Sequence, residues 1–263
     1  MSQTWSLNKA SIIGRDHEFS KKNKQDFACA FADKDNNLII GVVCDGCGES
    51  GYSEVGAALT CVYFTNYLKK YAGTHFSSIA NASNEAILSL KLSLETNFID
   101  FLLTLQQNLL FSDIADKISF INEFALCTTL FCVVINDMVI IGQCGDGVII
   151  INDSIFSIDK QGRPDYLAYK SIPKSALKVK PSDLNFFLLQ VFPKTLVHSV
   201  IIGSDGIQPI IDASLISELY GTKKRQLQRK FNLWQDQKMF GDDATCIVIE
   251  KQNGDKISNI SES

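Results

Sequence analysis

Histidine is scarce in this 263-residue sequence: there are three, His17, His75 and His198, far apart along the chain. That argues against a zinc centre, which gathers several imidazoles or thiolates. Positive charge is not in excess either. Lysine plus arginine number 25 against 29 acidic residues, a net charge of −4 and a pI near 5.4. A nucleic-acid binder shows a basic face, so that class is disfavoured. No stretch reaches the ~18 apolar residues of a membrane span. The most apolar helical segment, 98–111, is broken by Asp100, Gln106, Gln107 and Asn108. Met1 to Lys9 carries no apolar core of the signal-peptide kind. No internal repeat is visible.

What is present is core-forming material. Hydrophobic residues make up 46% and charged residues 21%, enough for a sizeable core and too apolar for global disorder. The length suits one large domain, expected over residues 1–250, followed by a polar, disordered tail over 251–263. Eight cysteines are scattered, mostly inside apolar runs, where a thiol acts as a small hydrophobe. Cys44 and Cys47 have redox-pair spacing, but a strand reading already accounts for Cys44. Reduced thiols point to a cytoplasmic location.

The apolar patterning predicts strands at 27–32 and 38–44, the second an unbroken run buried on both faces. Ser53 caps a helix whose apolar face is Val55, Leu59, Val62, Tyr63 and Tyr67. Residues 81–124 read as two or three helices, with Ser83 as a cap. Hairpins are predicted around Asn136-Asp137 and Asn152-Asp153, joining strands at 128–135 and 138–144, then 148–151 and 155–158. Residues 160–182 are loop-like. Strands follow at 186–191 and 197–203, helical segments at 213–220 and 223–238, and a last strand at 244–250. Strands, then helices, then strands imply an α+β fold in which helices cover a mostly antiparallel β-sandwich.

Aspartate recurs at the strand ends. Asp45, Asp146 and Asp205 each follow an apolar strand and precede glycine; Asp242 and Asp243 precede the last strand, and Asp26 the first. Any one Asp-Gly pair is ordinary turn chemistry. Together, if the ends converge, several carboxylates share one place, and like charges at close range require a cation. Oxygen donors alone favour Mg²⁺ or Mn²⁺. Two such ions about 4 Å apart can share a carboxylate and activate a bridging water for in-line attack on phosphorus.

The motifs resemble the type 2C metal-dependent protein phosphatases in their bacterial branch. They are Gly14-Arg-Asp-His17 with Gln25-Asp26, Asp45-Gly46-Cys-Gly48 with Tyr52-Ser-Glu-Val-Gly-Ala57, Cys127-Thr-Thr-Leu with Gly145-Asp146-Gly147, Gly203-Ser-Asp205-Gly206, and Gly241-Asp242-Asp243-Ala-Thr245. Residues 70–125 carry no motif. The resemblance implies a four-layer αββα sandwich. Asp45 would bridge two metals, with the Gly46 carbonyl on the first. Asp205 and Asp242 would complete the second, Asp242 being preferred to Asp243. Asp26 would hold metal-bound water, and Asp146 with Asp205 would form a weaker third site. Many members have an arginine before the Asp26 position to grip phosphate; here Lys21 and Lys22 occupy that region, with Arg15 further back. Cys47 stands where some members place a histidine, and His17 reads as structural. Residues 210–241 correspond to a variable segment beside the site. Its Lys223, Lys224, Arg225, Arg229 and Lys230 form a solvated face or a docking surface for an acidic partner.

The expected function is hydrolysis of phosphoserine and phosphothreonine in proteins, with a phosphoprotein and its kinase as partners and no nucleic acid or membrane. An inactive or slow member that binds a phosphoprotein or a kinase is the alternative. A metal-dependent phosphodiesterase or nuclease on another fold is a third reading, which the acidic pI disfavours.

Overall fold

Strands whose apolar runs are unbroken need cover on both faces, and the fold supplies it. The computed structural model describes residues 4–74, 84–109, 113–158, 165–177, 188–223 and 225–252. Its strands are β1 (Trp5–Ile12), β2 (Phe27–Asp33), β3 (Leu38–Cys44), β4 (Thr129–Ile135), β5 (Met138–Cys144), β6 (Gly147–Ile151), β7 (Ser154–Ile158), β8 (Leu188–Pro193), β9 (Ser199–Gly203) and β10 (Ala244–Lys251). They form two antiparallel sheets, ordered β1-β10-β9-β6-β7 and β2-β3-β4-β5-β8. The helices are α1 (Arg15–Ser20), α2 (Ser53–Thr74), α3 (Asn84–Asn108), α4 (Ile114–Phe120), α5 (Gln208–Asp212) and α6 (Gln226–Asp236), and α4 runs on into a π turn, Ile121–Ala125.

Period-two alternation sorts each strand between two apolar layers. From β3, Ile39 and Val43 point between the sheets, while Leu38, Ile40 and Val42 meet α2 and α3. From β10, Ile247 and Ile249 point inward, while Cys246 and Val248 meet Leu227, Phe231 and Trp234 of α6. The result is four layers, αββα, with three apolar seams. Aromatic stacking joins α2 to α3: Phe64 and Phe98 have ring centroids 5.2 Å apart, and Tyr63 and Phe101 are 4.6 Å apart. Both hairpin turns form where Asn-Asp predicts them. Asn136 and Asn152 take φ of 48° and 54°, a region asparagine tolerates. All eight cysteines are free, and six are buried.

Several expectations need correction. A strand precedes the first predicted one: β1 pairs with β10, from Trp5 opposite Lys251 to Ile12 opposite Ala244. Its pattern, WSLNKASI, mixes polar and apolar residues because it is an edge strand. The apolar face of α2 is rotated. Ala57, Cys61, Phe64 and Leu68 are fully buried, whereas Val55, Leu59 and Val62 are about 40% exposed (42%, 38% and 46%). Gly56 fixes that rotation, since a Cβ there would lie 1.9 Å from the Phe124 carbonyl oxygen. The face of Ala57, Cys61, Phe64 and Leu68 therefore packs inward, and Val55, Leu59 and Val62 face out. The helical segment expected at 213–220 is instead α5 at Gln208–Asp212 and a 3₁₀ turn at Ile216–Leu219. Lys251 ends β10 and the Gln252 N–H donates to the Thr4 carbonyl, so residues 251 and 252, expected in a tail, belong to the fold. Residues 253–263, the Ser83 cap and Lys224 lie outside the described residues. Among the described residues, no helix is long and apolar enough to cross a membrane.

Candidate active site

Strand register places the aspartates. The ends of β3 and β5 and the starts of β2 and β4 adjoin in one sheet, as Phe27 opposite Cys44 and Thr129 opposite Cys144. In the other, Gly203 at the end of β9 lies opposite Cys246 near the start of β10, and Val148 near the start of β6 lies opposite Gly203. All these termini share one end of the sandwich. A cleft of 240 Å³ opens there, lined by His17, Gln25, Asp45, Gly46, Cys47, Gly48, Glu49, Thr128, Asp146, Tyr166, Tyr169, Asp205 and Asp242. Four of the sequence-predicted aspartates and Gly46 thus share one cleft. Asp26 sits behind it, 1% exposed.

Each loop is fastened. The Asp45 N–H donates to Thr128 Oγ1 at 3.2 Å, the Thr128 N–H to the Asp45 carbonyl at 2.7 Å, and the Cys47 N–H to the Leu126 carbonyl at 2.9 Å. Gly206 lets the Asp205 loop lie against the Asp242 loop, because a Cβ there would stand 1.9 Å from the Asp243 carbonyl oxygen. Asp243 is a brace: its oxygens accept from the Gly14 N–H at 2.8 Å and the Gln25 N–H at 2.5 Å. Asp242 is the exposed member of the pair, with its side chain 66% accessible.

The electrostatics are those of acids crowded in a buried place. Burial, then the negative charges of Asp26, Asp205 and Asp242, drives the Asp45 carboxyl well above the usual carboxylate range. Burial chiefly, with Asp243 adding to it, pushes Asp26 up to about 7 against the donors around it. Ser204 Oγ donates to Asp26 Oδ2 at 2.7 Å. Asp26 Oδ1 receives no N–H or O–H donor and faces Asp45. Asp242 is raised as well, by partial desolvation first although its side chain reaches solvent, with Asp205 and Asp243 adding to it. A buried carboxylate oxygen without a donor, beside converging acids and a backbone carbonyl, is a donor set for hard divalent cations. The residues fit Mg²⁺ or Mn²⁺.

None of Arg15, Lys21 and Lys22 lines the cleft. Lys21 is the exposed left-handed residue ending α1, Arg15 Nε donates to the Phe240 carbonyl, and Lys22 Nζ donates to the carbonyl of Gly48 at the rim, 3.0 Å away. Lys24 is half-buried with Nζ 2.5 Å from Ser11 Oγ. Burial lowers its pKa, and Asp26 and Asp243 oppose that. His17 is also closer to the chemistry than its sequence position suggests. Its Nδ1 is 3.0 Å from Asp243 Oδ2 and its Nε2 3.8 Å from Asp242 Oδ1, so the three side chains could offer atoms to one ion. Sequence reasoning missed Tyr166 and Tyr169 altogether. Their only signal is a Tyr-x-x-Tyr spacing in a stretch otherwise read as loop.

A helix-flanked β-sandwich with carboxylates gathered at one end is the architecture of the metal-dependent phosphatases that the motifs resemble. The protein phosphatase 2C profile matches residues 13–239, and the chain belongs to that family. No curated protein matches it. The chain is similar to solved structures of the serine/threonine phosphatase of S. agalactiae (TM-score 0.60, 16% identity, 95% of this chain and 100% of that one) and of Stp1 from Staphylococcus aureus (0.57, 14%, 96% and 96%). It is also similar to PppA of Pseudomonas aeruginosa (0.57, 13%, 94% and 98%). At these identities the likeness is one of fold.

Proposed function

We propose that this protein is a divalent-metal-dependent phosphatase of phosphoserine and phosphothreonine in proteins. One observation carries the reading: Asp45, Asp146, Asp205 and Asp242, up to 197 residues apart in sequence, line a single cleft with Asp26 behind it. Asp45 would be shared by two Mg²⁺ or Mn²⁺ ions, with the Gly46 carbonyl on the first and Asp205 and Asp242 on the second. Asp26 would orient water, and Asp146 with Asp205 would hold a weaker third ion. Bound ions would neutralise the acids and lower the pKa of a water that attacks phosphorus in line.

The protein's own part is placement. Thr128 and Leu126 fix the Asp45–Cys47 loop, and Asp243 ties the loop before β10 to residues 14 and 25. Hydrolysis forms one P–O bond to the water oxygen and breaks the ester P–O bond, and the departing hydroxyl oxygen takes a proton from solvent. No side-chain nucleophile is required. Partners would be a phosphoprotein and the kinase that made it, in the cytoplasm, with the 210–241 segment guiding selection. Among the described residues that line the cleft there is no lysine or arginine, which favours one second reading, an inactive or slow member that binds a phosphoprotein or a kinase.

Manganese-dependent turnover of p-nitrophenyl phosphate tests the proposal. Asp45→Asn should remove it. Tight phosphopeptide binding with no turnover by the manganese-loaded wild type would establish the binding module instead.

A further inference from the structure

We propose that His17 is a metal ligand: its Nε2 joins Asp242 on one ion of the cleft, and this nitrogen donor makes that position one for a transition ion such as Mn²⁺ rather than for Mg²⁺. The inference rests on the divalent-metal reading of the site and gives a role to a side chain which that reading leaves idle. Among the described residues that line the cleft, His17 alone carries an imidazole.

Backbone packing places it. Gly14 lies so close to the loop before β10 that a Cβ there would stand 2.1 Å from the Asp242 carbonyl carbon. The Arg15 N–H donates to the Phe240 carbonyl at 3.3 Å, and the Asp16 N–H to the Gly241 carbonyl at 3.0 Å. Helix α1 is thereby laced to that loop, and His17 meets Asp242 and Asp243. Its side chain is 13% exposed, too enclosed for a solvated surface group.

The two ring nitrogens have different neighbours. Nδ1 is 3.0 Å from Asp243 Oδ2, and Nε2 is 3.8 Å from Asp242 Oδ1. Asp243 is fixed in place, since its oxygens also accept the Gly14 and Gln25 N–H groups. The Nδ1 contact is short but poorly angled, and the buried Nδ1 makes no hydrogen bond. Coordination at Nε2 would supply the missing restraint. It puts the proton on Nδ1, where Asp243 is the acceptor, as in the carboxylate–histidine–metal arrangement. Donor atoms 3.8 Å apart can both reach an ion about 2.1 Å from each. Mg²⁺ takes oxygen donors in a near-ideal octahedron, whereas imidazole is a ligand of transition ions. A mixed nitrogen and oxygen set therefore separates two ions that carboxylates alone would accept alike.

The test uses the full-length, untagged protein loaded with Mn²⁺, and its readouts do not depend on turnover. Electron spin-echo envelope modulation detects nitrogen bound directly to Mn²⁺, and protein grown on ¹⁵N-histidine identifies that nitrogen as histidine. The wild type should show it. His17→Asn, which keeps an amide donor towards Asp243 but lacks the second ring nitrogen, should not. A His75→Gln/His198→Gln protein, in which His17 is the sole histidine, should keep the signal. In calorimetric titrations His17→Asn should weaken Mn²⁺ binding by about tenfold, the scale on which metal sites respond to loss of a ligand's support, and Mg²⁺ binding clearly less. Absence of the signal in the wild type or the double variant, its persistence in His17→Asn, or equal weakening for both ions would each overturn the proposal. If the signal is present but no phosphate ester is hydrolysed, the phosphatase reading fails and the ligand assignment stands. If turnover depends on manganese and the signal is absent, the assignment alone fails.

Discussion

The two rims of the cleft are built on different principles. The carboxylate rim consists of loops that end strands, and each aspartate is fixed by the register of the strand it terminates. The tyrosine rim is a short 3₁₀ turn, Leu167–Ser171, preceded by Tyr166 and tied to α3 by a Lys170–Glu95 ion pair spanning 75 residues of sequence. Strand-end placement depends on local pattern, whereas the tethered turn depends on a partner in another layer. The first rim should therefore tolerate loss of a side chain without losing its shape, and the second should not.

Asp205→Ala gives the largest expected effect. It should cut manganese-dependent turnover by about a thousandfold, the scale on which losing part of a metal site acts. Secondary structure by circular dichroism should persist, because the turn is held by Gly206 against Asp243 rather than by the carboxylate. Collapse of the fold in that variant would show that the residue serves the turn and not the chemistry.

Crowding of acids on the same rim predicts a pH effect on stability. The Asp26 carboxyl moves from an ordinary 3.8 to about 7. A raised carboxyl stabilises the folded state fully below the unfolded value, and that contribution is lost as pH rises through the folded value. The metal-free protein should thus lose stability between pH 4 and 8, by at most roughly 4 kcal/mol from this group. Saturating Mn²⁺ should flatten or reverse the slope, since binding then favours the ionised acids. Melting curves with chelator and with metal would settle it. Identical slopes in both would mean the acids do not surround a cation site.

The difference between the rims also explains what was legible in the sequence. Asp45, Asp146 and Asp205 stood out because Asp-Gly after an apolar run is a local signal, and their shared cleft follows from antiparallel pairing. Strands buried on both faces, such as β3 and β4, were readable for the same reason. Strand β1 was not, because an edge strand carries half-buried polar residues that break the alternation. The α2 face was misread because helical spacing offers two overlapping apolar stripes, and only the contact of Gly56 with Phe124 chooses between them. Glu95 left no trace, and Tyr166 and Tyr169 only a Tyr-x-x-Tyr spacing, since their importance lies in contacts across layers. His17 read as structural, and the pairing of β1 with β10 brings it beside Asp242 and Asp243.

Breaking the tether sharpens the contrast at intermediate size. Glu95→Gln keeps the shape but replaces the ion pair to Lys170, a quarter exposed, with at most a neutral hydrogen bond. A loss of about 2 kcal/mol is expected, below the full cost for a deeply buried pair. The kinetic signature should fall on KM more than on kcat, because the tyrosine rim loosens while the carboxylate rim stays. An equal fall in kcat would show that α3 supports the metal side of the cleft as well.

The smallest effect is expected where the rims touch. Cys47 sits on the carboxylate side with its thiol against the Tyr166 hydroxyl, yet its structural work is done by the backbone. Its N–H donates to the Leu126 carbonyl, and its own carbonyl accepts from Ser53 Oγ at 3.0 Å. Cys47→Ser leaves both intact and keeps a polar partner for the phenol, so turnover should change by less than about threefold, the scale of one retained neutral hydrogen bond. A steep fall in steady-state rate would assign the thiol itself to proton delivery at the leaving oxygen. The junction of the rims, rather than either rim alone, would then be the place where the ester bond is broken.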